Sequence, residues 1–378
     1  MRCSTDRILT THVGSLARPS DLVGMLLAPR TGDEVSAAAL ATRVTSAVRD
    51  VVEQQRRCGL DVVNDGEMGK IGYATYVTDR LTGFDGSGPG PVASDLLDFP
   101  AYGRKLLGDA ADRRMPVCTG PIAYKGDDAV RRDIENLAAA LGDGAAGEAF
   151  ITAASPGVIS LFMQNAHYPT YESYAYALAD AMKTEYDTIS GAGFLLQVDC
   201  PDLAMGRHVA FAAATVKEFR SYAELQVEIL NHALRDIAPD RIRMHLCWGN
   251  YEGPHNRDVA FADIIDIVLK ARPAAILFEA ANPRHEHEWM VFEETAVPHG
   301  KVLVPGTIDT TTNFIEHPEL VAQRITRLAR LVGRERVIAG ADCGFAGYAG
   351  YNMVDPDIMW AKCQALVEGA RVASSRLW

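Results

Sequence analysis

Short apolar runs alternate with longer stretches of helical spacing along nearly the whole chain. The runs are Ile8–Val13, Leu60–Asn64, Met115–Pro121, Ala149–Ala154, Phe194–Asp199, Ile242–Cys247, Ala275–Glu279, Val302–Ile308 and Val337–Ala341. Between them, Val35–Gln55, Tyr174–Ser190, Val216–Ile237, Ala260–Leu269 and Pro318–Leu331 carry apolar residues at the helical period. Strand followed by helix, repeated, predicts a parallel sheet with crossover helices. Nearly continuous apolar strands such as Ala275-Ile-Leu-Phe278 predict burial on both faces. Nine runs are one too many for a (β/α)8 barrel, so Met115–Pro121 is placed outside it. The stretch from Gly72 to Arg114 has no clear period and contains Gly86-Ser-Gly-Pro-Gly-Pro. The expected architecture is therefore α/β: a single catalytic (β/α)8 TIM barrel over residues 1–378, with a long loop excursion between strands 2 and 3 (residues 72–121) over the active face. The alternative is an open doubly wound sheet. No strand leads into a GxGxxG turn, which argues against a dinucleotide site.

Charge and cysteine usage narrow the function. The 378 residues hold 37 basic and 49 acidic side chains, a net charge of −12, which disfavours a nucleic-acid partner. No stretch is apolar enough to span a membrane, and the N-terminus lacks an apolar signal core, so a cytoplasmic protein is expected. Seven cysteines without a CxxC pair point to reduced thiols rather than a disulfide scaffold.

The polar residues sit where the predicted strands end. One end is Thr11-His12-Val13-Gly14-Ser15, another Asn64-Asp65-Gly66-Glu67, another Gln197-Val198-Asp199-Cys200. Met244-His245-Leu246-Cys247-Trp248, Phe278-Glu279 and Gly340-Ala341-Asp342-Cys343-Gly344 follow. In a barrel these ends converge on one rim, the active face. His12, Glu67 and Asp199 are groups there that could accept a proton or hold a charge; the bland alternative for Glu67 and Asp199 is an N-cap or a loop salt-bridge partner. His245 and Cys247 lie two apart on a strand, so both leave the same face. An imidazole beside a thiolate suits zinc, with Cys343 and Glu279 as natural further ligands; the bland alternative is a buried Cys and a satisfied His. His285-Glu286-His287 is a weaker metal candidate, since i and i+2 do not share a helical face. Asn282 and Arg284 are better placed to hold a substrate anion, and Gly14 with Ser15 could present N–H groups to a carboxylate. The tyrosines at 168, 171, 174, 176 and 186 read as packing or an oligomer surface. Cys3, Cys58, Cys118 and Cys363 read as inert thiols.

Taken in order, these motifs resemble the C-terminal catalytic barrel of the cobalamin-independent methionine synthase family. The resemblance runs from Thr10-Thr-His-Val-Gly-Ser to Ala341-Asp-Cys-Gly. It implies one Zn2+ held by His245, Cys247, Glu279 and Cys343. It also implies a homocysteine pocket at Val13-Gly14-Ser15, Glu67 and Asp199, the two carboxylates holding the ammonium. The family's catalytic histidine falls near Thr311 in Gly306-Thr-Ile-Asp-Thr-Thr, and the tryptophan that would stack on a folate has no counterpart near Ala153–Val158. The chain thus resembles the short single-barrel relatives, which include corrinoid-supplied methyltransferases and epoxyalkane:coenzyme M transferase. The implied activity is zinc-dependent transfer of an alkyl group, methyl first, to a small thiol, homocysteine foremost. The alternative is addition of coenzyme M to an epoxide. A methylcorrinoid, free or on a corrinoid protein, is an expected donor that needs no such histidine; for a folate donor, His255 or His317 are the residues that could replace it. A barrel hydrolase and a structural zinc protein are the readings from other classes.

Overall fold

The computed structural model describes residues 1–108, 114–142 and 148–378. Among these residues, ten strands form two sheets. Eight make one parallel sheet: β1 (Leu9–Thr10), β2 (Val62–Asn64), β5 (Glu148–Ala154), β6 (Leu195–Asp199), β7 (Ile242–His245), β8 (Ala275–Phe278), β9 (Val302–Ile308) and β10 (Ile338–Ala341). Their order is β1-β10-β9-β8-β7-β6-β5-β2. The sheet curls until its first and last strands meet. There the Asp61 amide donates to the Thr10 carbonyl at 3.1 Å, and Thr11 Oγ1 donates to the Val62 carbonyl at 3.1 Å. The result is a nearly closed (β/α)8 barrel.

Alternation along the strands sorts the core into an inner and an outer layer. Leu9, Val13, Ala275, Leu277, Val302, Val304 and Ile338 pack together inside, as do Val62, Phe150 and Leu195. Met244, Leu246, Ile276 and Leu303 belong to the cluster shared with the helices. On β7 the inward set continues as Arg243, His245 and Cys247. Arg243 is buried, with its guanidinium 3.9 Å above the Phe150 ring. It donates to Thr11 Oγ1 (2.9 Å) and the His12 carbonyl (2.8 Å).

Helices begin where side chains can satisfy the free N–H groups. Ser36 caps Ala37–Cys58, and Thr170 and Thr215 form capping boxes at Tyr171–Gly191 and Val216–Ala233. Asp355 caps Pro356–Leu377, a helix outside the sequence expectation. It is fastened to β1 through the Ile8 amide and Ser374 Oγ, 2.9 Å apart. The expected helix Ala260–Leu269 is instead a 3-10 turn, Phe261–Asp263, and a single helical turn, Ile265–Val268. Ile264, Ile265, Ile267 and Val268 are buried while Ala262, Asp266 and Lys270 are exposed, so the expected two-sided pattern is kept although the helix itself is only one turn long.

Between β2 and β5 the chain leaves the barrel. The expected structureless loop contains an antiparallel ribbon, β3 (Gly86–Pro89) with β4 (Arg114–Val117), and two short helices, Ser94–Asp98 and Pro100–Leu107. Residues 109–113 of this stretch lie outside the described residues. Asp95 Oδ2 accepts from the Tyr251 hydroxyl (2.7 Å) and the His255 amide (2.9 Å). Arg257 grips Asp98 with two hydrogen bonds, at 2.6 and 2.5 Å. The segment is thus tied to the loop that follows β7. Among the described residues no helix is long and apolar enough to cross a membrane.

Candidate metal centre

β7 ends at His245, and Cys247 follows two residues later on the same side. Cys343 comes from the turn after β10. Their donor atoms all lie within 4.8 Å of one another. His245 Nε2 is 3.4 Å from Cys343 Sγ, and the two sulfurs are 3.6 Å apart. A tetrahedral zinc with bonds of about 2.0–2.1 Å to nitrogen and 2.3 Å to sulfur separates its ligands by roughly 3.5–3.8 Å. The three side chains therefore fit such an ion. Burial, then the Arg243 charge below, push His245 down to about 3, so its imidazole is neutral at physiological pH.

Glu279 follows β8 beside Cys247 but outside that trio. Its Oε1 accepts from the Trp248 amide and its Oε2 from Asn282 Nδ2, each at 2.7 Å. Burial and the neighbouring Cys247 raise its carboxyl well above the ordinary range. Each oxygen keeps a second lone pair, so Glu279 can approach an ion or yield its place. Asp342 fixes the geometry around it. Its Oδ1 accepts from the amides of Ala280 and Ala281 (2.8 Å each) and its Oδ2 from the Asn282 amide (2.8 Å). This pins the turn carrying Cys343 against the loop carrying Glu279. Gly306 leaves room for it, since a Cβ there would fall onto Asp342 Oδ1 and come 2.6 Å from its Cα.

A second group of expected residues adjoins the first. Asp199 pairs in register with His245 across β6 and β7. Gln197 Nε2 donates to Asp199 Oδ1 (2.9 Å) and to the Val13 carbonyl. Glu67 takes φ +57°, a left-handed conformation that a non-glycine residue holds only at a cost of about 1–3 kcal/mol. Its Oε1 accepts from Thr152 Oγ1 (2.9 Å). Its Oε2 and Gln197 Oε1 are buried and have no hydrogen-bond partner. Burial, then the Glu67 charge, push the Asp199 carboxyl up to about 8. Gly14 lies against them: a Cβ would stand 2.6 Å from Thr152 Cγ2 and 3.1 Å from Glu67 Oε1. Ser15 joins this pocket to the cysteine turn, its carbonyl accepting from the Phe345 amide at 2.9 Å and its Oγ from Ala346 at 3.4 Å.

Other expected residues go elsewhere. His12 hydrogen-bonds Gln55 of the helix Ala37–Cys58, at 2.8 Å, and burial lowers it to about 4. Asn282 cannot serve a substrate anion: its two amide protons are spent on Glu279 (2.7 Å) and Asp342 (3.0 Å). Arg284 is exposed; the buried guanidinium near Glu67 is Arg18, 4.0 Å from Oε2. Thr311 folds onto Asp309, donating from both its amide and hydroxyl at 2.8 Å. His317 caps the helix Pro318–Val332, and His255 is bound to Asp258 and Tyr251. Cys200 is buried, and burial raises its thiol well above the ordinary range.

The sequence reading missed Lys70, whose ammonium donates to Thr152 Oγ1 (2.9 Å) and its carbonyl (2.5 Å). It also missed Tyr73, a phenol raised chiefly by burial and also subject to the charges of Cys247, Cys343 and Asp199. Both follow Glu67 in a stretch without periodicity, where only nearness to a strand end pointed to them.

With this geometry in view, comparisons place the chain. The family model described as "Cobalamin-independent synthase, Catalytic domain" matches residues 165–355. The chain belongs to that family. It is 23% identical to a methionine synthase of Thermococcus kodakarensis, covering 88% of this chain and 84% of that protein. It is likewise 23% identical to 2-hydroxypropyl-CoM lyase of Xanthobacter autotrophicus, covering 98% and 96%. A solved B12-independent methionine synthase from Shewanella sp. W3-18-1, in complex with selenomethionine, superposes with a TM-score of 0.76 at 19% identity, covering 98% and 99% of the two chains; it shares the fold.

Proposed function

We propose that this protein transfers an alkyl group, methyl in the first instance, to the sulfur of homocysteine held on zinc at His245, Cys247 and Cys343, with Glu279 as the exchangeable fourth ligand. The reading rests on one juxtaposition. Two thiols and an imidazole lie within reach of a single ion, near two buried acceptors, Glu67 Oε2 and Gln197 Oε1, that have no hydrogen-bond partner. A free thiol titrates near 8.5 and is mostly protonated at neutral pH. Zinc supplies deprotonation and holds the sulfur as a nucleophile. Two thiolates and a carboxylate give the protein ligands a charge of −3 against +2, which keeps that sulfur electron-rich.

The protein's own side chains do the rest. Glu67 Oε2 and Asp199 receive the substrate ammonium, which would be costly to bury bare. Gly14 and Ser15 offer backbone to its carboxylate. The thiolate then attacks the alkyl carbon, the C–S bond forms, and the donor leaves with the electron pair of the broken bond.

Thr311 carries no titratable proton, so a folate amine would leave without its acid. General acid catalysis is commonly worth about 10²–10⁴-fold. A methylcorrinoid needs no such acid. The second reading, opening of an epoxide by coenzyme M, is favoured by the similarity to 2-hydroxypropyl-CoM lyase along almost the whole chain. A donor screen separates them: methyltetrahydrofolate and methylcobalamin with homocysteine, and a short epoxide with coenzyme M. Methylcobalamin turnover is expected. Folate turnover above about 1 s⁻¹ would reverse the donor assignment, and failure of every thiol to bind the zinc form would end the proposal.

A further inference from the structure

Among the described residues a second trio of donors lies within 4.8 Å of one another: His255, Asp258 and His285. The sequence pairs His285 with His287 by spacing. The fold pairs it with His255 instead, from the loop after β7. Every nitrogen of the two rings faces an acceptor. His255 Nδ1 is 3.0 Å from Asp258 Oδ2, and its Nε2 is 3.1 Å from the Tyr251 carbonyl. His285 Nε2 is 2.9 Å from the same Asp258 oxygen, and its Nδ1 is 2.8 Å from Glu288 Oε2.

Without a metal, the proton that each ring directs at Asp258 Oδ2 lies in a nearly sealed space, where the Asp258 side chain is 1% exposed. One divalent cation can replace the two protons that converge on Asp258 Oδ2 with no change in total charge. The outer nitrogens would keep theirs, donating to a carbonyl and a carboxylate. That is how metal-bound histidines are usually oriented. A further group points into the cluster. His208 is fully buried, its Nδ1 is paired with Asp258 Oδ1 at 2.9 Å, and its Nε2 has no hydrogen-bond partner.

We propose that His255 Nδ1, His285 Nε2 and the Asp258 carboxylate form a second divalent-cation site, of a nitrogen and oxygen donor type that suits zinc. Three ligands of this kind around zinc stand about 3.3 Å apart, so the two nitrogen–oxygen distances, 3.0 and 2.9 Å, need open by only a few tenths of an ångström. The ion would brace the catalytic rim rather than react. His285 stacks on Trp248 at 4.2 Å, and the Trp248 amide holds Glu279 at 2.7 Å. His255 sits in the loop clasped by Asp95.

The test loads chelator-stripped protein with zinc sulfate, removes the excess, and combines elemental analysis with zinc-edge X-ray absorption. The wild type is expected to hold about two zinc ions per chain with an average of about one sulfur neighbour per zinc. A C247S/C343S variant should keep about one, with nitrogen and oxygen neighbours alone, and Asp258→Asn about one with two sulfurs. One zinc per wild-type chain with two sulfur neighbours overturns this proposal and leaves the thiolate centre standing. One zinc with no sulfur neighbour does the reverse. The wild-type measurement decides even if a variant fails to fold.

Discussion

Glu67 offers the sharpest test of the acceptor pocket. Its Oε2 is buried without a donor, whereas its Oε1 is occupied by Thr152 Oγ1 at 2.9 Å. Glu67→Gln keeps the shape and the Oε1 bond but removes the charge and turns the open acceptor into an amide donor. A hydrogen bond to a charged group contributes about 1.5–3 kcal/mol, so homocysteine should bind roughly 10–150-fold more weakly. Asp199, at the end of β6, keeps the loss from being total. The fold should survive with some loss of stability: the buried Arg18 loses the counter-charge 4.0 Å away but keeps its hydrogen bonds to the carbonyls of Glu67 (3.1 Å) and Ala346 (2.8 Å). Coenzyme M has a sulfonate and no ammonium, so its binding should hold or tighten. The assay is isothermal titration of zinc-loaded wild type and variant with each thiol. A homocysteine affinity within about threefold of wild type, in a folded and metal-loaded variant, would refute the ammonium role.

Three further outcomes follow from particular contacts. Cys247→Ser should remove one zinc–sulfur neighbour from the X-ray absorption spectrum and abolish the sulfur-edge shift on adding homocysteine; an unchanged spectrum would place the ion elsewhere. Burial pushes the Asp202 carboxyl up to about 7, so the folded chain holds a proton that the unfolded chain releases near pH 4. Stability should therefore fall between those pH values by up to about 4 kcal/mol and level off above. Asp202→Asn should flatten that part of the urea-midpoint profile, and equal slopes would contradict the assignment. Gly306→Ala drives a Cβ against the Asp342 backbone. It should cost about 1–3 kcal/mol and lower zinc occupancy at the thiolate centre; a variant of wild-type stability and metal content would show that Asp342 does not position the Cys343 turn.

The barrel and the meeting of His245, Cys247 and Cys343 were legible in the chain because both depend on local periodicity. Period-two alternation puts Arg243, His245 and Cys247 on one face whatever surrounds them. Strand–helix repetition brings strand ends to one rim even across long sequence separations. That is enough to bring Cys343 to His245 without knowing any loop. What periodicity cannot encode is the conformation after a strand stops. The positive φ at Glu67 and at His255 aims those side chains in directions no repeat predicts. Hydrogen-bond saturation is equally non-local: Asn282 lies at a strand end as expected, yet its amide is consumed by Glu279 and Asp342, whose backbone neighbours only the fold supplies. His12 leaves for Gln55, and His285 finds Asp258 and His255 rather than His287. The sequence by itself determined which chemistry stands on the rim, because side-chain direction along a strand is a local property. Only the tertiary structure decided which of those groups are already partnered and which still lack a partner, because that depends on contacts between loops far apart in the chain.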